Sequence, residues 1–325
     1  MENEVVKGQS NHKTKNLKIA VLCGGVGEER AISLESGRCV RDALQQSAAN
    51  VLLADISPGK LDILDNRDID CFFVAMHGRF GEDGQLQQIM EEKGLVYTAS
   101  APEGCRIAFD KMLSKTAFEK AGVKTPPSIE IKDSTDLNEL EGLLKKLTNK
   151  FVIKPFRQGS SVGVSIVDNA KEAVVIAAKT ARLFGDSLIE KYIEGREITV
   201  GIVCGQVLPI IEIRPKEVFY NFQAKYIDEK TQFLFDTIED AKLQENIKEA
   251  AVICFKAAGL RDIGRIDFIL GSDGELYALE ANAIPGLTGH SLVPMAAAKL
   301  GISMSQMSMK IIEQAMKRGK AKATV

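Results

Sequence analysis

The sequence predicts an α/β protein of about two or three domains, opening on a Rossmann-like sheet and closing on an α+β unit built around a hairpin. Three observations carry this: a length of 325 residues, a strand–glycine–helix opening, and two apolar runs separated by a turn near the C-terminus. Apolar and charged fractions of 45% and 26% are those of a globular protein. No apolar run reaches the roughly 18 residues of a membrane span. A formal net charge of −2 offers nothing to nucleic acid. The cysteines (Cys23, Cys39, Cys71, Cys105, Cys204, Cys254) form no C-x-x-C pair. They read as reduced, mostly buried thiols of a cytosolic protein.

Residues 1–16 lack the apolar stretch of a secretory signal and read as a disordered tail. Leu17 to Cys23 is a strand, Gly24-Gly25-Val26-Gly27 a turn, and Glu28 to about Gln46 a helix. Ligands gather at the carboxyl ends of such strands. The dinucleotide fingerprint G-x-G-x-x-G fails, because after Gly25 and Gly27 the third glycine's place is Arg30. Asp55, after the strand Val51 to Ala54, is therefore not assigned to a ribose. No Walker sequence occurs. Glu28 and Glu29 are expected in the first helical turn, where dipole complementation is worth about 0.3–1 kcal/mol. Alternatively, one of them holds a cationic group in the cleft. The strand Cys71 to Met76 ends in His77-Gly78-Arg79-Phe80-Gly81-Glu82-Asp83-Gly84, a polar loop placed where α/β sites form, with His77 its candidate.

Composition changes after Ser100 to Gly104. One helix is predicted over Arg106 to Ala121, carrying Lys111 and stopped by Gly122 and Pro126-Pro127. Another covers Asp136 to Leu147. Strands Phe151 to Pro155 and Val162 to Val167 flank Phe156-Arg157-Gln158-Gly159-Ser160-Ser161. Backbone N–H groups of such a loop close around phosphate oxygens, and Lys154 supplies a cation beside it. Leu188 to Ile193 is a strand that could offer backbone groups to a base, with Glu197 in reach of a ribose. Thr199 to Ile213 reads as strands around Cys204-Gly205-Gln206, Phe219 to Asp236 as a lid, and Asp240 to Ala258 as a helix. A terminal helix ends in the basic run Lys317 to Lys322, expected to be frayed and solvated.

The hairpin is the organising stretch. With Gly271-Ser272-Asp273-Gly274 as a four-residue loop, Leu270 pairs with Glu275, Asp267 with Ala278 and Arg265 with Glu280. Side chains alternate along a strand. Ile266, Phe268, Leu270, Tyr277 and Leu279 are then expected on one face, and Arg265, Asp267, Glu280 and Asn282 on the other. Hard oxygen donors converging this way suit Mg²⁺ shared with phosphates.

In order, the motifs are G-G-x-x-x-E-R (Gly24 to Arg30), H-G-R-x-G-E-D-G (His77 to Gly84), K-P-x-x-x-G-S-S-V-G (Lys154 to Gly163), E-K-Y (Glu190 to Tyr192), A-K-Y (Ala224 to Tyr226), G-R-I-D (Gly264 to Asp267) and E-A-N-x-x-P-G-x-T-x-H-S-L-V-P (Glu280 to Pro294). Each is a modest signal; seven in this order, from about Leu17 to Met316, are a strong one. The chain thereby resembles the D-alanine–D-alanine ligase family of ATP-grasp enzymes. The resemblance implies an N-terminal Rossmann-like substrate domain (17–105), a central lid domain (106–190) and a C-terminal catalytic domain (191–325). It implies ATP as co-substrate, a D-alanyl phosphate intermediate, two Mg²⁺ ions with Mn²⁺ as a substitute, D-alanine as substrate, a homodimer and a cytoplasmic place. Carried over by position, Lys111, Lys154, Ser160, Ser161, Glu190, Lys191, Ile193, Glu197 and Lys225 contact ATP. Asp267, Glu280 and Asn282 hold metal. Arg265 and the Gly286 N–H face the oxyanion. Glu29 and His77 meet the first D-alanine, and Ser291 and Leu292 the second. Glu29, Ser160 and Tyr226 form a hydrogen-bonded trio, and Tyr226 favours an amine nucleophile. Ala283 for threonine, Gly289 for serine and Phe222 for tyrosine depart from the family pattern, bearing on substrate affinity and lid motion. Two other readings keep the fold: a ligase with a different acceptor, and a nucleotide-binding regulator without catalysis.

Overall fold

The computed structural model describes residues 17–47, 50–132, 135–215 and 231–323. Within them, β1 (Lys18–Gly24) lies between β2 (Asn50–Ile56) and β3 (Cys71–Val74), all parallel. Such strands are buried on both sides, so they read as continuous apolar runs. The helix α1 (Arg30–Gln45) starts two residues later than predicted, and Glu29 is its N-cap rather than a first-turn residue. Arg30, in the place of the missing glycine, forks onto Asp55 at 2.8 and 2.6 Å. A Cβ on Gly24 (φ +95°) would meet Asp55 Oδ1 at 2.1 Å. Asp55 is thus occupied from within, in keeping with the failed dinucleotide fingerprint. The sequence reading passed over α2 (Gln85–Glu92), which follows the His77 loop.

The predicted helix over Arg106 to Ala121 is two helices, α3 (Pro102–Phe109) and α4 (Lys111–Lys120). Asp110 breaks them: its backbone turns extended, and its carboxylate accepts from the Met112 and Leu113 N–H groups as an N-cap. Lys111 therefore sits at a helix start rather than inside one. The second sheet, β4 (Ser128–Ile131), β7 (Ser187–Lys191), β5 (Phe151–Pro155) and β6 (Ser165–Val167), is antiparallel. α5 (Leu137–Leu147) and α6 (Ala170–Phe184) accompany it in an apolar core of its own. α6, capped by Asn169, was not singled out from sequence.

The third sheet is antiparallel, in the order β11 (Gln232–Phe235), β10 (Ile211–Arg214), β8 (Gly195–Val203), β12 (Ile263–Gly271), β13 (Leu276–Asn282), with β9 (Gln206–Val207) beside β8. Its core is continuous with that of the first sheet. The stretch Phe219 to Asp236, read as a lid, ends in β11; residues 216–230, with Phe222, Lys225 and Tyr226, lie outside the described residues. α7 (Ala241–Ala257) is as expected, capped by Asp240. The C-terminal end is two helices, α8 (Leu292–Lys299) and α9 (Met304–Ala323). The basic end is not frayed at Arg318, which donates to the buried Asp262 and, at 3.1 Å, to the Tyr97 carbonyl. That pairing ties α9 to the segment after α2 and to the residue just before β12.

The hairpin register differs from the expected one. Leu270 faces Leu276, Ile269 faces Tyr277 and Phe268 faces Ala278; a bulge follows, after which Asp267 faces Glu280 and Arg265 faces Asn282. The Gly271 N–H bonds the Glu275 carbonyl, so the hairpin closes at that pair and Ser272, Asp273 and Gly274 form the turn. Tyr277 and Leu279 are consequently not on the core face with Ile266, Phe268 and Leu270; Ala278 and Ala281 are. Each large apolar side chain fully buried here is worth about 1.5–3 kcal/mol.

One ion cluster staples the third sheet. Glu212 on β10 accepts from Arg196 on β8 and from Arg214, and Arg196 also donates to the Thr237 carbonyl at 2.9 Å. Burial would raise the Glu212 pKa, but hydrogen bonds from the two guanidiniums outweigh it and bring it from 4.5 to about 2. A carboxylate lowered this way stabilises the fold fully above its unfolded value and ceases to as pH falls through the folded one. Glu212→Gln is expected to cost about 1–3 kcal/mol at pH 7, a drop of a few degrees in Tm by scanning fluorimetry. The deficit should shrink as pH falls from 4.5 towards 2; a constant deficit over that range would contradict the assignment.

Candidate active site

Asp267 is buried on β12, in the middle of the third sheet. A carboxylate held out of water must be paired. Arg265, two residues away on the same face, donates Nε to Oδ1 at 2.8 Å and Nη2 to Oδ2 at 2.9 Å. From β8, directly opposite, the Thr199 hydroxyl donates to Oδ1 at 2.5 Å. From β13, Asn282 Nδ2 donates to Oδ2 at 3.0 Å, leaving its amide oxygen for other work. Glu280 stands opposite Asp267, and Lys111 Nζ lies 3.5 Å from its carboxylate. Two carboxylates and an amide oxygen on one wall are the hard donors a divalent cation takes. The residues present fit such an ion.

That wall lines a cavity of ≈ 470 Å³, a volume suited to a small-molecule ligand. Its other lining includes Lys154 and Ser161 from the second sheet and Lys191, Ile193 and Glu197 at the crossing into the third. At its back, the fully buried Glu190 accepts from Lys154 at 2.7 Å and from Lys115 at 2.9 Å. Burial disfavours its charge, but the two ammoniums hold the Glu190 carboxyl below the usual range. Lys115 also donates to the Pro126 carbonyl at 2.6 Å. Burial lowers the Lys115 pKa, whereas the facing carboxylates more than offset burial at Lys154 and raise it.

A second, smaller cavity of ≈ 50 Å³ adjoins the first and is lined by Glu29, His77, Gly159, Ser160, Asn282 and Gly286, among others. Glu29, projecting from the start of α1, accepts from the Ser160 hydroxyl at 2.5 Å. This joins the first sheet to the glycine-serine loop. Ser160 and Ser161 both have left-handed backbones (φ +51° and +58°), each costing about 1–2 kcal/mol for a residue with a Cβ. The loop is held by contacts instead: Arg157 to Asp110 at 2.7 Å, Lys111 Nζ to the Gln158 carbonyl at 2.7 Å, and the Lys111 N–H to the Phe156 carbonyl at 3.0 Å. His77 Nδ1 lies 3.1 Å from the Ile284 carbonyl and Nε2 lies 2.8 Å from the Ser36 hydroxyl. A carbonyl only accepts, so the proton is assigned to Nδ1. Ser36 Oγ accepts from the Leu287 N–H and gives its own hydrogen to Nε2.

Lys111, Arg265 and Glu280 line both cavities, which therefore meet at these three side chains. Ser291 lines neither: its Oγ accepts from the Thr288 N–H at 3.0 Å, within 2.6 Å of where a Cβ on Gly286 would stand. Leu292 reaches the larger cavity rather than the smaller. Sequence reasoning missed Lys115, Thr199, Ser36 and the Asp110–Arg157 pair. Lys115 had a local signal, since it follows Lys111 by one helical turn. Thr199 had none, because its contact depends on the pairing of β8 with β12.

The family description "D-ala D-ala ligase C-terminus" matches residues 117–313. This chain belongs to the D-alanine–D-alanine ligase family. It is 37% identical over 303 residues to the D-alanine–D-alanine ligase of Methylacidiphilum infernorum, covering 93% of this chain and 97% of that protein. With the D-alanine–D-alanine ligase of Nitrosospira multiformis it shares 37% over 295 residues, 91% and 95% of the two chains. The crystal structure of the Bacillus anthracis ligase complexed with ATP superposes with a TM-score of 0.83 at 33% identity, over 95% of this chain and 100% of that one. VanG D-Ala:D-Ser ligase from Enterococcus faecalis gives 0.79 at 26%, over 93% and 100%. The fold is accordingly ATP-grasp, as the motifs of this ligase-family sequence implied.

Ser160→Ala removes the bond to Glu29 without touching either strand that flanks the loop. Amide hydrogen exchange across 157–164 is expected to speed up several-fold, with rates in β5 unchanged. Unaltered loop rates would show that the Glu29 contact does not hold it.

Proposed function

We propose that the chain joins two D-alanines in an ATP-dependent reaction, through D-alanyl phosphate, releasing ADP and phosphate and giving D-alanyl-D-alanine for peptidoglycan. The observation that carries this is the meeting of the two cavities at Lys111, Arg265 and Glu280. A nucleotide in the larger and an amino acid in the smaller bring a phosphoryl group and a carboxylate together there. A carboxylate resists attack by an amine until it is phosphorylated, and phosphoryl transfer chiefly requires positioning and charge neutralisation. The ATP-bound relative supports the nucleotide assignment.

In this reading Lys111 and Lys154 contact phosphates, and Ser160 and Ser161 close the loop over them. Glu190, Lys191 and Ile193 face the adenine and Glu197 the ribose. Glu29 holds the first D-alanine's ammonium, and His77, fixed by Ser36 and Ile284, stands near its carboxylate. Arg265 and the Gly286 N–H meet the oxyanion that forms when the second amine attacks, a contribution of about 3–4 kcal/mol in comparable sites. Ser291 and Leu292 serve the second D-alanine. Lys225 and Tyr226, outside the described residues, are assigned from the resemblance alone. Asp267, Glu280 and Asn282 would hold two Mg²⁺ ions, or Mn²⁺, which when bound neutralise phosphate charge. The three separate sheets support a division into three parts, although residue 105 falls within α3 and residue 190 within β7. No helix among the described residues is long and apolar enough to cross a membrane, in line with a cytoplasmic enzyme. A homodimer is proposed from the family.

The VanG relative is named a D-Ala:D-Ser ligase, so the acceptor is the part of the reading most in need of a test. Phosphate release with ATP, Mg²⁺ and a panel of D-amino and D-hydroxy acids is expected to be greatest with D-alanine. Release no higher than with L-alanine would defeat the assignment. Glu280→Gln should lower turnover by at least about a hundred-fold while changing Tm by a few degrees at most. Equal losses of melting temperature and activity would point to a structural role instead.

A further inference from the structure

The three residues that donate to Asp267 in the site described above differ in kind. Arg265 lines both cavities and has a proposed partner in the substrate. Asn282 is itself a proposed ligand. Thr199 is 1% exposed and lines neither cavity. Its hydroxyl lies 2.5 Å from Asp267 Oδ1, whereas the nearest competing acceptor, the Ile266 carbonyl, is 3.4 Å away. A hydroxyl–carboxylate bond of that length is charge-assisted and strong. The β-branch leaves χ1 little freedom, and the strand pairing places Thr199 directly opposite Asp267.

We propose that Thr199 is a positioning residue that orients Asp267 as a ligand for the catalytic divalent cation. This rests on the reading of Asp267, Glu280 and Asn282 as the cation site. Oδ1 receives Thr199 Oγ1 and Arg265 Nε. With Arg265 engaged by a substrate oxygen, the threonine hydroxyl still holds Oδ1, the oxygen that Asn282 does not touch, and so helps to fix the carboxylate plane. Partners one step behind a metal ligand are typically worth about 10–100-fold in metal affinity.

The test compares Thr199→Val, which keeps the volume and loses the donor, with Thr199→Ser, which keeps the donor. Free Mn²⁺ is titrated by electron paramagnetic resonance against the full-length enzyme with ADP, and the Mg²⁺ dependence of phosphate release is measured in parallel. T199V is expected to weaken Mn²⁺ binding and raise half-saturating Mg²⁺ about ten-fold. T199S should stay within about two-fold of the parent, and Tm should move little in either. Parental Mn²⁺ affinity in T199V, or equal weakening in T199V and T199S, overturns the proposal. Should T199V not fold, T199A against T199S makes the same comparison of donor absent and donor present. Asp267→Asn is run beside them: parental Mn²⁺ affinity in D267N would overturn the cation site itself, whereas a loss in D267N without one in T199V overturns only the role of Thr199.

Discussion

The site depends on one buried carboxylate. Asp267 is placed in the middle of a sheet, where an ionised group is tolerated only if several donors meet it. Its own strand supplies Arg265, the strand on one side Thr199 and the strand on the other Asn282. No two of these come from the same place, so the carboxylate ties β8, β12 and β13 together through side chains in addition to the ladder hydrogen bonds. Glu280, opposite Asp267, inherits its place from that arrangement.

Around this fixed wall, the other two sheets contribute what must come and go. The second sheet sends the loop 156–161, whose left-handed serines are held by side-chain contacts from outside the loop. Ser160 takes its hold from Glu29, in front of the first sheet's α1, and Arg157 from Asp110, at the break between α3 and α4. The break at Asp110 has a second effect. It puts Lys111 at the mouth of both cavities while its backbone N–H binds the loop, so one residue senses both.

Much of this was legible in the sequence because it is local. The glycine turn, the failed dinucleotide fingerprint and the convergence of Arg265, Asp267, Glu280 and Asn282 all follow from spacing and alternation. The hairpin is instructive. Its strands pair one residue away from the expected register, Leu270 with Leu276 in place of Glu275, and a bulge shifts the register by one more. Each shift alone would have turned every later side chain of β13 to the other face. Together they restore the parity, so Glu280 and Asn282 lie where uninterrupted alternation put them. Tyr277 and Leu279, between or before the shifts, do not. The Asp110 break was hidden because an apolar helical period runs through it and only a capping side chain interrupts it. Arg318 looked like part of a solvated tail because its partner, Asp262, is distant in sequence. Thr199 and Lys115 were missed for the same reason: their roles are made by pairing across strands or between sheets.

The balance of charge explains why the proposed cations are needed at all. Four basic groups near the junction already face an acid. Lys154 and Lys115 share Glu190, Arg265 forks onto Asp267, and Lys111 lies beside Glu280. The wall is thus close to internally neutral before a substrate arrives. A triphosphate brings several negative charges into a pocket where solvent screening is weak, and each uncompensated charge there is costly. Lysines drawn towards the phosphates would take Lys111 from Glu280 and leave Glu190 with Lys115 alone, exchanging one poorly compensated charge for another. Divalent ions held by Glu280, Asp267 and Asn282, as proposed, would resolve this, since they would neutralise the carboxylates and the phosphates together. The arrangement of acids and bases therefore supports a site in which nucleotide and metal bind jointly, with the protein's own cations left to orient what the ions have neutralised.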